Sequence, residues 1–168
     1  MSTPIVNRVA NSALQVIDLE EFYQEGPRKL FAVVDFLTDG IVLHEQAFRE
    51  KLIRHNWDDY QDCFVAVYCP KDVIIPQWAS LLVVTYLQPK CKAVVVGSLE
   101  ELEQQLFAEK LFGFDTTPYQ DGLVMIKGCS NKPVPEQALG LLARKLTPIV
   151  KKLSYGEACS SVPLYKRS

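Results

Sequence analysis

The sequence lacks most of the strings that assign a chemistry. It has no G-x-G-x-x-G, no Walker-type G-x-x-x-x-G-K, no G-x-S-x-G and no H-E-x-x-H, so nucleotide, hydrolase and zincin classes lose their usual support. Histidine is scarce, with only His44 and His55. Long apolar runs are absent. Stretches such as Ala79–Val84 and Ala93–Val96 fall far short of the roughly 20 residues that cross a bilayer, so no membrane span is expected. No basic excess exists either: 18 Lys and Arg stand against 20 Asp and Glu, a formal charge of −2. A nucleic-acid partner normally demands a basic face, and none is expected. The start, Met1 to Arg8, has no apolar core behind a charged leader, so a secretory signal is not expected and the expected compartment is the cytoplasm.

What is present is an ordinary globular composition over 168 residues, enough for one domain that buries roughly 70% of its unfolded surface. No repeat, linker or low-complexity stretch divides the chain, so a single α/β domain over 1–168 is expected. Five cysteines (Cys63, Cys69, Cys91, Cys129 and Cys159) are an odd number without framework spacing. They read as reduced thiols, and a free cysteine is most often a small buried hydrophobe.

The pattern alternates strands and helices. Leu14 to Leu19 reads as a short strand, and the β-branched run Lys29 to Leu37 as a longer one ending at the Thr38–Gly40 turn. Residues Glu45–Arg54 carry Phe48 and Leu52 at i,i+4 and read as an amphipathic helix. Cys63–Tyr68 and Cys91–Gly97 are continuous apolar runs, which suits strands buried on both faces. Between them Ile75–Leu87 reads as a helix with Pro76 in its first turn. Ser98 with Glu101 three residues on forms a capping-box pattern opening a helix over Leu99–Phe112. Residues 123–128 read as a third strand, Pro135–Leu153 as a last helix ended or kinked by Pro148, and Gly156–Ser168 as an extended tail. Strand–helix alternation predicts a three-layer α/β fold with a mainly parallel sheet. Its βαβαβα core lies at about 62–153, with the N-terminal strand and the tail at the edges.

Ligands of open parallel sheets bind beyond the carboxyl ends of the strands. Three segments reach that edge: Cys69 to Asp72, Gly97-Ser98, and Gly128 to Lys132. With strand order 2-1-3, Cys69 and Cys129 flank one crevice; with order 1-2-3 they do not. Cys129 is the best candidate, because it follows Lys127 and a turn-permitting Gly128 and precedes a helix. Lysines and a helix N-terminus lower a thiol pKa. Backbone amides there, with Lys127, Ser130, Asn131 and Lys132, offer a site for a small anionic ligand. Cys159 with Ser160 makes a second Cys-Ser segment 30 residues on. The pair invites a redox couple, a sulfur relay or a metal. Against a metal, there is no C-x-x-C and no Cys/His pair at ligand spacing, and a tetrahedral zinc would need two further ligands, with His44, His55 or Cys69 as possible donors. No metal site or cofactor is therefore assigned. Asp72 reaches the strand edge as a ligand candidate, but reads better as a cap for the following helix. His44 and His55 read as helix-terminal residues, Trp78 as core, and Glu100, Glu101 and Glu103 as a solvated helix face. Ser130, Ser160 and Ser161 lack a His/Asp constellation for a serine nucleophile.

The strings Ile126 to Pro135, containing Gly128-Cys129-Ser130-Asn131, and Gly156 to Lys166, containing Ala158-Cys159-Ser160-Ser161, resemble an uncharacterised bacterial family, domain of unknown function 2480. Ile5 to Ser12, Phe48-Arg49 with His55 to Trp57, and Asp72 to Ala79 also resemble it, so the likeness covers nearly the whole chain. The resemblance implies a family without an assigned activity, often encoded near iron–sulfur cluster assembly components, which leans the paired cysteines towards sulfur or iron handling. Three functions follow as expectations. One is an accessory or binding protein in thiol, sulfur or iron–sulfur metabolism using Cys129 and Cys159. The others are a non-catalytic interaction protein, with a homodimer as candidate assembly or a protein partner, and an enzyme binding a small anionic ligand at the strand edge.

Overall fold

A computed structural model describes residues 13–128, 131–157 and 160–168. The chain divides into two compact units. One joins the described part of Met1–Tyr23 to Leu106–Ser168, and the other is Gln24–Gln105. The α/β class and the parallel strands are as the alternation predicts, but the strands build two sheets rather than one.

In the unit Gln24–Gln105, strands β2 (Arg28–Ala32), β3 (Phe64–Tyr68) and β4 (Ala93–Val96) lie in that order, parallel throughout. The central β3 is buried from Phe64 to Val67, which is why its sequence is an unbroken apolar run. Helices α1 (Glu45–Arg54) and α2 (Gln77–Leu87) supply Phe48, Leu52, Ala79, Val83 and Leu87 to a core with Phe31, Val65 and Val67. Each fully buried leucine there contributes roughly 2 kcal/mol of transfer free energy. The predicted strand to Leu37 stops earlier, because the chain coils into a 3-10 turn over Val33–Phe36 that buries Val33. Asp72 does not cap α2. It lies exposed in a turn, and Pro76 occupies the cap position without a side-chain hydrogen bond, four residues further along.

In the other unit the order is β1 (Leu14–Asp18), β5 (Leu123–Lys127), β6 (Lys152–Glu157) and β7 (Ser160–Lys166). The first three run parallel, and β7 returns antiparallel at the edge, as the tail's extended character predicts. Helix α4 (Glu136–Leu146) buries Ala138, Leu142 and Leu146, an i, i+4, i+8 stripe, against Ile17, Leu19, Val124, Ile126 and Leu153. The predicted helix to Leu153 ends seven residues early. Pro148 cannot continue the ladder, and Lys152 onward instead pairs with β5. The division between the units falls within α3 (Leu99–Phe112), whose later residues Phe107 and Leu111 join this second core.

The capping box of α3 forms as read. The Ser98 backbone N–H donates to Glu101 Oε2 at 2.7 Å, and the Glu101 N–H donates to Ser98 Oγ at 3.2 Å. The donation from the Ser98 backbone N–H holds the Glu101 carboxyl below its ordinary range. Glu103 departs from the expected solvated face. It is paired with Arg28, the two side chains only 15% and 14% exposed.

Candidate functional site

The parallel register sets the site. Asp18 closes β1 directly opposite Lys127, which closes β5, and Glu157 closes the neighbouring β6. The Lys127 ammonium lies 3.5 Å from Asp18 Oδ2 and 3.7 Å from Glu157 Oε1. Three consecutive parallel strands thus deliver acid, base, acid to one carboxyl edge. The two carboxylates, Glu157 first and Asp18 second, push the Lys127 pKa above its ordinary value.

The chain beyond Lys127 packs against the turn that follows β1. Asp18 accepts from the Glu20 N–H at 2.9 Å and so starts the 3-10 turn Leu19–Phe22. Glu20 in turn accepts the Asn131 backbone N–H at 2.7 Å. Lys132 Nζ sits 4.9 Å over the Tyr23 ring, a cation–π contact. A Cβ on Gly128 would rest 3.4 Å from Leu139 Cδ2. Gly156 takes a positive φ of +118, with Ser160 O only 3.0 Å from where its Cβ would stand. It sits where β6 and β7 draw together, Glu157 pairing with Ser160.

Cys129, Ser130 and Cys159, the residues on which the sequence places the chemistry, lie outside the described residues. Of their described neighbours, Lys127 and Glu157 are brought within 3.7 Å and Glu157 pairs with Ser160, whereas Asn131 and Lys132 contact Glu20 and Tyr23. Asp72 belongs to the other unit, and so does Cys69, at the end of β3. Since β3 and β5 lie in different sheets, neither expected order (2-1-3 or 1-2-3) describes them. The electropositive setting expected for Cys129 is also modified. Lys127 is shared by two carboxylates, and α4 starts at Glu136, seven residues beyond the cysteine. Asp18, Glu20, Gly156 and Glu157 escaped the sequence reading. Their signal is the pairing of β1 with β5 across more than a hundred residues, which no local pattern carries.

The remaining thiols behave as small hydrophobes. Cys63 is buried with its Sγ 3.4 Å from Gln61 O. Burial pushes both the Cys69 and the Cys91 pKa up. Among the described residues no group of three or more His, Cys, Asp or Glu is placed to hold a metal ion. None of their helices is long and apolar enough to cross a membrane. His55 closes α1 as expected, but its imidazole stands among the Phe31, Phe36, Trp57 and Tyr60 rings, with ring centroids 4.8 to 5.8 Å away. Its Nε2 is buried without a hydrogen-bond partner. His44 is the exposed N-cap of α1. Trp78 packs edge-on to Phe48 at 5.9 Å, as a core residue should.

No curated protein and no solved structure gives a significant match to the chain. The model of the family described as Protein of unknown function (DUF2480) matches residues 3–167, and these include both Cys-Ser segments. The chain therefore belongs to the DUF2480 family of proteins of unknown function.

Proposed function

We propose that this protein is an accessory or binding protein of thiol, sulfur or iron–sulfur metabolism that works through Cys129 and Cys159 as a pair. The observation that carries the proposal is the 3.7 Å contact between Lys127 and Glu157. Each of these residues stands two positions before one of the cysteines, so both Cys-Ser segments leave from one sheet edge. Two residues of chain span at most about 7 Å, and adjacent strands lie about 4.8 Å apart. Residues two steps from a shared contact therefore have a common neighbourhood to meet in.

Charge favours this over an anion-binding enzyme. The donors at the edge are engaged by the chain's own carboxylates: Lys127 by Asp18 and Glu157, and the Asn131 amide by Glu20. A phosphate or carboxylate ligand would have to displace them. A neutral thiol pair meets carboxylates without that penalty, and Lys127 supplies the positive charge that favours its thiolate form. Ser160, Asn131 and Lys132 then border the pair rather than bind an anion.

Alkylation of the intact protein at graded pH, mapped cysteine by cysteine, tests the proposal. Cys129 and Cys159 should react faster than a free thiol at neutral pH, or be protected by a copurified metal. Reaction of both at or below the free-thiol rate, with no bound metal, would sink it.

A further inference from the structure

Beside the strand edge the same unit carries a groove of about 540 Å³ that the thiol chemistry does not use. Its floor is Ile126 of β5 and Tyr155 of β6, which are partners in register. One wall is a stripe of α4 at i, i+3, i+4 and i+7: Glu136, Leu139, Gly140 and Ala143. The other is Leu164 of β7. The volume falls within the range typical of small-molecule sites.

Two features keep the groove open. Gly140 stands in the middle of an α-helix, where glycine is the poorest former after proline. Nothing lies within 4 Å of where its Cβ would be, so no neighbour forbids a larger side chain. Along β7 the register passes from Pro163, opposite Ser154, to Tyr165, opposite Leu153. Leu164 is left over as a bulge, a device that re-aims a side chain, and it lines the groove although 53% exposed. Among the described lining residues Glu136 alone is charged, and an ionised carboxylate only accepts hydrogen bonds.

From these we infer that the groove is a binding site for a small aliphatic amine. The hydrocarbon lies along Ile126, Leu139 and Leu164 over Gly140, and the ammonium meets Glu136, with the Tyr155 hydroxyl as the second polar group. The site goes beyond the thiol proposal and stands without it, since no cysteine is needed to fill it.

Octylamine and octanoate, titrated by calorimetry into the full-length protein, test the inference. Octylamine should bind at least ten-fold more tightly than octanoate. Gly140→Leu, which fills the groove, should weaken octylamine at least ten-fold. Glu136→Gln, an exposed change that leaves the fold intact, should abolish the preference for the amine. Equal or tighter binding of octanoate, no binding of either probe, or an amine preference that survives Glu136→Gln would overturn it.

Discussion

Arg28 and Glu103, 75 positions apart, form a two-pronged ion pair in a largely buried setting. Arg28 Nε donates to Glu103 Oε1 at 2.5 Å and Nη2 to Oε2 at 3.1 Å, while Nη1 donates to Gly26 O at 2.7 Å. The guanidinium also lies 4.9 Å over the Phe64 ring. The planar fork satisfies both carboxylate oxygens at once, which an ammonium cannot do. Arg28→Ala leaves Glu103 half-desolvated without its counter-charge and should cost about 2–3 kcal/mol, between the exposed and fully buried limits. Arg28→Lys should cost about 1 kcal/mol, because it keeps the charge and loses the fork. Denaturant midpoints of the two variants check the order, and equal values would contradict it.

The capping box makes a second prediction. Ser98→Ala removes the acceptor for the Glu101 N–H and should destabilise by about 1 kcal/mol. Because the folded Glu101 pKa is depressed, its contribution is complete above the ordinary carboxylate range and fades as pH falls through the lower folded value. Thermal melts from pH 7 down to pH 3 should therefore show the wild-type advantage over Glu101→Gln shrinking in acid.

Lys127 titrates the other way. Its folded pKa is raised, so the cluster with Glu157 and Asp18 holds below the ordinary lysine range and is lost as pH climbs through the raised value. Lys127→Met leaves the two carboxylates facing one another across β5. It should slow alkylation of Cys129 and Cys159 at pH 7 by about threefold or more, equivalent to roughly half a pKa unit in the thiols. Unchanged rates at both would separate the cluster from the cysteines.

The other three thiols supply an internal standard. Cys63 is buried, and burial raises the Cys69 and Cys91 pKa, so all three should alkylate more slowly than a free thiol at pH 7. Cys69 or Cys91 reacting first would contradict the assignment of chemistry to the Cys-Ser segments.

What the sequence made legible was local. Helix α1 spans the predicted Glu45–Arg54, and α3 spans the predicted Leu99–Phe112, because caps and i,i+4 periodicity are written within one element. The alternation of strand and helix was equally readable from Phe64 to Leu146. The division into two sheets was not, since β5 takes β1 as its neighbour rather than β3 or β4. Strand β6 was hidden for a related reason: Lys152–Glu157 has little β-branched character, and it is a strand because β5 and β7 flank it. Half of the candidate site shared that fate. Lys127 to Lys132 stood out as a polar string after a strand, whereas Asp18, Glu20 and Glu157 acquire meaning only when the strand ends meet.

If Cys129 and Cys159 work as a pair, mild oxidation of the intact protein with diamide should join them. Peptide mapping should recover an intramolecular Cys129–Cys159 disulfide as the main product, with Cys63, Cys69 and Cys91 still reduced. Recovery of Cys129 and Cys159 unlinked, or each joined to a different thiol, would show that they do not act as a pair.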